Sequence, residues 1–246
     1  MKPPYPSLTA EWHTDTYAAI SPTRPELSCK GKKVVITGGG AGIGAGFAQA
    51  FADAGASSIA IIGRREPKLQ ETKQAVIEKE GSVKITIHIA DVVDGAALKM
   101  AADEIGKWDI LVANAGYLPD SGPIVDADAE EWWRGFEVLT SLSRREKMLT
   151  LAQVNVKGPF NTAQAFLPHR NSGATIIAIN AASIQVPLDF IVNFSSYNCA
   201  KFAALKYFEC LANENKDLHV VNMHPGVGES KRMLRLQCSI CCGQAN

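Results

Sequence analysis

Short runs of β-branched and apolar residues recur along the chain, separated by stretches with helical spacing. The runs are Lys33–Thr37, Ser58–Ile62, Val83–Ile89, Ile110–Ala113, Ala174–Ile179 and His219–Met223. Each is short, apolar and bounded by glycine or polar residues, which predicts a buried strand. Between them, Phe47, Phe51 and Ala54 follow a helical repeat, Pro67–Glu80 is charged and amphipathic with proline in its first turn, and Val93–Ile105 also reads as helix. Strand and helix signals that alternate at regular spacing predict an α/β fold. Its form is a doubly wound, Rossmann-like parallel sheet of about six strands, covered on both faces in three αβα layers with right-handed crossovers. Residues 1–30 form a polar arm rich in Pro, Ser and Thr. Residues 31–230 form the folded domain, and residues 231–246 an irregular tail. No internal repeat divides the domain.

Two stretches bring chemistry to this pattern. The first follows the first strand, where Thr37 leads into Gly38-Gly39-Gly40-Ala41-Gly42-Ile43-Gly44 and a helix. A strand, a glycine-rich turn and a helix in series make a phosphate site. The backbone can come close to a pyrophosphate, and the helix N-terminus favours its negative charge. After the second strand come Arg64 and Arg65, where an acidic residue would hold the ribose 2′-hydroxyl of NAD. Arginine there suits a 2′-phosphate and favours NADP, with NAD the alternative. In a plainer reading both arginines cap a solvated loop. Asp91-Val92, after the third strand, is placed either to contact adenine or, through Asp91, to cap the next helix. Asn114-Ala115-Gly116 ends the fourth strand in a turn small enough to lie flat against a cofactor.

The second stretch runs from Ser183 to Lys201. Tyr197 and Lys201 stand at i and i+4 and share a helix face. A phenol keeps its proton to about pH 10, and a nearby ammonium favours the phenolate. The pair can therefore act as an acid and base near neutrality. On its own, such spacing is more often a solvated face. Ser183 falls just beyond the fifth strand, at the sheet edge where ligands bind.

Composition narrows the function further. The chain has 246 residues, 46% of them hydrophobic, and a formal net charge of zero. There is no basic excess to suggest nucleic acid or an anionic membrane as a partner. No apolar run reaches the roughly 20 residues that span a bilayer. The expected location is cytoplasmic, with Cys29, Cys199 and Cys210 as reduced thiols. Cys238, Cys241 and Cys242 cluster without a nearby histidine and read as part of the tail, so no metal is expected. His224 reads as a strand-end residue rather than a base, and Trp132-Trp133 as packing at a helix start.

Taken together, the sequence resembles the short-chain dehydrogenase/reductase family, in its fungal flavour, over about Lys32 to Ser230. The residues that carry the resemblance are Thr37-Gly38 with Gly42-Ile43-Gly44, Asp91, Asn114-Ala115-Gly116, Asn155, Ser183, Tyr197 with Lys201, and Pro225-Gly226 with Ser230. The resemblance implies an NAD(P)-dependent oxidoreductase that interconverts an alcohol and a carbonyl, with a place in fungal secondary metabolism. It makes Tyr197 the general acid/base and gives Lys201 two tasks, lowering the tyrosine's pKa and holding the nicotinamide ribose. Ser183 would bind the substrate oxygen, and Asn155 a water leading to solvent. It assigns Thr37, Gly38, Gly42, Ile43, Gly44, Arg64, Asp91, Val92, Asn114, Ala115, Gly116, Tyr197, Lys201, Pro225 and Gly226 to the cofactor. It also implies a small-molecule alcohol or ketone substrate and a homo-oligomer.

Three features depart from the family pattern. Ala113 stands where an asparagine commonly opens the turn that braces the sheet. Leu139–Val154 adds 16 residues ahead of Asn155. Sixteen residues make about 4.4 helical turns, so a continuous helix would lose its register. A break near Leu139–Arg145 and a restart near Met148 are expected, and the segment has the look of a translated intron. After Gly226 there is no pattern for a substrate lid or a seventh strand, so the chain reads as C-terminally truncated. The rival expectation is therefore a cofactor-binding protein impaired in catalysis.

Overall fold

The computed structural model describes residues 17–81, 83–118, 123–127, 132, 153–185 and 193–226. Six strands form one sheet: β1 (Lys33–Thr37), β2 (Ser58–Gly63), β3 (Lys84–Ile89), β4 (Trp108–Ala113), β5 (Arg170–Ile179) and β6 (His219–Met223). Their order is β3-β2-β1-β4-β5-β6, and every pairing is parallel. The helices are α1 (Gly42–Asp53), α2 (Glu66–Lys79), α3 (Gly95–Ile105), α4 (Gly158–Phe166) and α5 (Ser195–Glu214). This is the doubly wound Rossmann arrangement expected from the alternating pattern.

Side-chain alternation along the strands divides the core in two. Val34, Ile36, Ile59, Ile61 and Val112 point to one face and pack with Ala48, Ala52, Leu69 and Val76 of α1 and α2. Val35, Ala60, Ile62, Leu111 and Ile176 point to the other, against Leu98, Ala102, Phe166 and Phe208 of α3, α4 and α5. Burial on both faces explains why these strands read as continuous apolar runs.

Several boundaries differ from the sequence reading. β4 begins at Trp108, which is fully buried and donates its indole N–H to the Phe166 carbonyl at 2.7 Å. β5 begins at Arg170, ahead of a register shift opposite Trp108 and Ile110 and of Gly173 at φ +70°. A glycine in left-handed backbone masks a strand in a propensity reading. α3 starts two residues later than expected because Asp94 caps it, accepting from the N–H groups of Ala96 and Ala97 at 3.0 Å each. The cap is therefore Asp94 and not Asp91. Ahead of the sheet, residues 17–30 form two short 3-10 turns. Their end is tied to the body where the Cys29 N–H donates to the Ala54 carbonyl at 2.8 Å. The expectations for 139–152, Trp133, Ser230 and the 231–246 tail lie outside the described residues.

Candidate active site

The sheet's carboxyl edge is built around one hydroxyl. Thr37, at the end of β1, is buried, and its Oγ1 accepts from the N–H groups of Asn114 and Ala115 at 3.1 Å each and donates to the Val112 carbonyl at 3.4 Å. Asn114 answers with its amide nitrogen, which donates to the carbonyls of Thr37 at 2.9 Å and Gly38 at 3.3 Å. The brace that Ala113 put in question is thus made by Thr37 and Asn114.

The glycine turn fits tightly beneath this brace. Gly38 has φ +69°, and a Cβ there would lie 2.9 Å from the Asn114 amide nitrogen. A Cβ on Gly44 would overlap the Gly38 carbonyl. Gly42, at φ +55°, faces open space instead, and Ile43 beside it is exposed. Ala41 precedes α1 and offers no side-chain cap to the helix. The first-turn N–H groups of α1 are therefore available to an anion. These features suit a pyrophosphate.

Across β2 and β3, Arg64 reaches Asp91, with Nη1 to Oδ2 at 3.5 Å and the arginine side chain 60% exposed. The other carboxylate oxygen of Asp91 accepts from the Val93 N–H at 3.1 Å. Val92 between them is buried.

A second group of residues gathers at the ends of β4 and β5. Lys201, in the second turn of α5, is buried, and its Nζ donates to the carbonyl of Ile179, the last residue of β5, at 2.9 Å. The same Nζ lies 5.9 Å from the centre of the Tyr197 ring. A Cβ on Gly116 would stand 3.6 Å from that nitrogen and 3.3 Å from Oδ1 of Asn155. Gly116, Asn155, Tyr197 and Lys201 therefore share one small volume. Ser183 sits in a 3-10 turn, Ala182–Ile184, just past β5, and its Oγ is buried with no hydrogen-bond partner among the described residues.

Asn155 lies in a π-helical turn, Gln153–Lys157, that leads into α4. Its Oδ1 accepts from the Tyr117 N–H at 3.2 Å, and its Nδ2 donates to the Tyr117 carbonyl at 2.9 Å. The side chain thus holds the loop after β4, and one Nδ2 hydrogen and the second lone pair of Oδ1 are left for a water.

Burial sets the electrostatics of the pair. It pushes the Tyr197 phenol up to about 12 and the Lys201 ammonium down to about 8. The expected lowering of the tyrosine by its neighbour is outweighed here, because desolvation disfavours both charged forms and the amine is directed at Ile179. Burial likewise lowers His224, a half-buried residue after β6.

The structure does not bring all the expected residues together. Arg64 and Asp91 lie at the β2 and β3 end, apart from Tyr197. Pro225 and Gly226 follow β6, with Gly226 at φ +84°. Two contributors escaped the sequence reading. Trp132 donates its indole N–H to Ser195 Oγ at 2.7 Å and accepts from the Ser196 hydroxyl at 3.1 Å, so it grips the first turn of α5. The other is Asn161 of α4, whose Nδ2 donates to the carbonyls of Val92 and Val93 at 3.0 Å each. The signal for Trp132 was the Ser195-Ser196 pair at the helix start. Among the described residues, no group of His, Cys, Asp and Glu could hold a metal, and no helix is long and apolar enough to cross a membrane.

Known proteins are similar to this chain in sequence and in fold. The family model described as short chain dehydrogenase matches residues 32–236. A short chain dehydrogenase of Monascus ruber is 32% identical over 229 residues, which cover 89% of this chain and 69% of that protein. One of Pseudocercospora fijiensis is 33% identical over 238 residues, 92% of this chain and 69% of its own length. Among solved structures, L-sorbose reductase of Gluconobacter frateurii, complexed with NADPH and L-sorbose, superposes with a TM-score of 0.71 at 23% identity. The match covers 89% of this chain and 78% of that one, and it shows a common fold. By its family match, its fungal relatives and its sheet order, the chain belongs to the short-chain dehydrogenase/reductase family of oxidoreductases.

Proposed function

We propose that this protein is an NADP-preferring oxidoreductase that interconverts an alcohol and a carbonyl on a small or medium apolar metabolite. One observation carries the reading. Tyr197 and the buried Lys201 meet Gly116 and Asn155 at the carboxyl ends of β4 and β5, in the same sheet edge as the glycine turn.

The cofactor, when bound, supplies or receives the hydride. The chain's own residues supply position and protons. Thr37, Gly38, Gly42 and Gly44 shape the pyrophosphate seat, and Asn114, Ala115 and Gly116 give a small-residue surface beside it. Tyr197, at about 12, keeps its proton at neutral pH and so acts as the acid that protonates the substrate oxygen during carbonyl reduction. Ser183, whose buried hydroxyl has no partner among the described residues, is suited to donate to the same oxygen and steady its developing charge. Lys201, at about 8, is largely charged at neutrality and stabilises the phenolate that remains. Asn155 fixes the Tyr117 loop next to them.

Arg64 beside Arg65 favours a 2′-phosphate, and NAD is the alternative. An L-sorbose reductase solved with NADPH supports a nicotinamide cofactor, and the relatives from Monascus and Pseudocercospora are fungal short chain dehydrogenases, beside which a place in fungal secondary metabolism is part of this proposal. The family is consistent with a soluble cytoplasmic enzyme and a homo-oligomer. The test is Tyr197→Phe. It should abolish alcohol oxidation and ketone reduction while NADPH binding, followed by calorimetry, persists. Unchanged turnover in that variant overturns the assignment.

A second reading has its own observation. The Lys201 amine is directed at the Ile179 carbonyl, and Tyr197 is raised rather than lowered. That arrangement suits a protein that binds the nucleotide without turning it over. Thermal stabilisation by NADPH across a panel of alcohols and ketones, none of them converted, would favour it.

A further inference from the structure

Asn161 belongs to α4, six residues beyond Asn155, and is buried. Its Nδ2 donates to the carbonyls of Val92 and Val93 at 3.0 Å each, so both amide hydrogens are used on two consecutive main-chain oxygens. A Cβ on Gly95, the first residue of α3, would stand 3.7 Å from its Oδ1. The side chain thus lies under the whole turn from β3 into α3. That turn carries Asp91 and Val92. Its other side-chain supports come from the turn itself and from the β2 end: Asp91 accepts from Val93 and from Arg64, and Asp94 caps α3. Among the side-chain hydrogen bonds of the described residues, Asn161 alone, at a sequence distance of 69 residues, ties Val92 to the half of the molecule that bears Asn155.

We propose that Asn161 is a positioning residue for the adenine end of the cofactor site. It holds the Asp91–Val92 turn at the height that the Thr37–Gly44 turn requires, while Asn155, on the preceding π-helical turn, holds the Tyr117 loop at the nicotinamide end. One helix thereby sets the distance between the two ends. The inference rests on the reading of Asp91-Val92 as the adenine contact.

Two variants test it. Asn161→Asp keeps the size but sets a carboxylate against two carbonyl oxygens, and Asn161→Ser loses the reach without burying a charge. The readout is fragment binding by calorimetry on the full chain, with 5′-AMP for the adenine end and reduced nicotinamide mononucleotide for the other. Loss of these hydrogen bonds should weaken 5′-AMP and NADPH alike by about tenfold in either variant. Affinity for the mononucleotide, and kcat at saturating NADPH, should stay within about twofold. In Asn161→Asp, part of the 5′-AMP affinity should return as pH falls from about 8 to about 6, because the protonated carboxyl regains one donor. A purely structural role would lower the melting temperature and weaken both fragments equally, and that outcome overturns the proposal, as does unchanged 5′-AMP binding. Should Asn161→Asp not fold, Asn161→Ser decides by the same two fragments. Wild-type protein that binds neither NADPH nor 5′-AMP would sink the cofactor reading itself, and this inference with it.

Discussion

The two ends of the sheet's carboxyl edge are built differently. At the β1 and β4 end, Thr37 and Asn114 spend their hydrogen-bonding capacity on one another's strands, and Gly38 and Gly44 of the glycine turn have no room for a methyl group. At the β5 and α5 end, a lysine is buried, a tyrosine is raised and a serine hydroxyl has no partner among the described residues. The first is scaffold, where the Thr37 hydroxyl and the Asn114 amide nitrogen are both satisfied. The second keeps polar capacity in reserve at a cost in stability, as a site that must exchange protons does. If this contrast is sound, substitutions at the two ends should separate activity from stability in opposite directions.

The largest effect is expected at Lys201. Lys201→Met should reduce kcat/KM by about a thousandfold or more, since the phenolate loses its counter-charge. The melting temperature should hold or rise, because a buried ammonium is replaced by an apolar side chain of similar length. A fall in melting temperature with activity retained would reverse the contrast.

The pH dependence sharpens the same point. Lys201 falls from 10.5 in the unfolded chain to about 8 when folded. Between those values the unfolded chain binds more protons, so the buried-charge penalty is relieved and stability rises with pH across that window. A shift of this size corresponds to roughly 3 kcal/mol at most. Tyr197 works the other way. Raised from 10 to about 12, it keeps its proton in the folded state, and its contribution is lost as pH climbs between those values. Chemical denaturation of wild type against Lys201→Met, from neutral pH to about pH 10, should show the rise only in wild type. Carbonyl reduction should meanwhile decline above about pH 8, where Lys201 loses its charge.

At the scaffold end, Thr37→Val should act on stability first. It strands the N–H groups of Asn114 and Ala115, which cost about 1–3 kcal/mol between them. For a chain of this size that is a drop of several degrees in melting temperature. Activity per folded molecule should fall much less than in Lys201→Met, and denaturation and turnover measured on one preparation would check it.

The sequence made the scaffold more legible than the site. The six strands and their parallel, doubly wound arrangement follow from alternating runs, because strands buried on both faces cannot hide their apolar character, and the glycine turn from Thr37 to Gly44 is marked by its place between a strand and a helix. The ends of β4 and β5 were missed because Trp108 and Gly173 act through tertiary contacts and backbone geometry that no local pattern carries. Tyr197 and Lys201 were found by spacing too, but the direction of the amine was not. A helical interval fixes a shared face, whereas the Ile179 carbonyl that captures the ammonium comes from a strand 22 residues earlier. Asn161 and Trp132 were invisible as function for the same reason, since their partners are main-chain or serine groups brought near only by folding.

The smallest effect separates two aspartates that look alike in sequence. Asp94 accepts from two N–H groups at the start of α3, whereas Asp91 accepts one and faces Arg64. Asp94→Ala should cost about 1 kcal/mol, the usual worth of a helix N-cap, and leave nucleotide affinity unchanged. Asp91→Ala should cost less stability, because its ion pair with Arg64 is exposed and such pairs contribute roughly 0–1 kcal/mol. It should instead change affinity for the adenine nucleotide, since its turn belongs to the adenine end in the proposed function. Denaturation and 5′-AMP titration on both variants would show the two effects trading places. Equal losses of stability with no change in binding would mean that the β3 turn is scaffold throughout, and that the reserve of polar capacity is confined to β5 and α5.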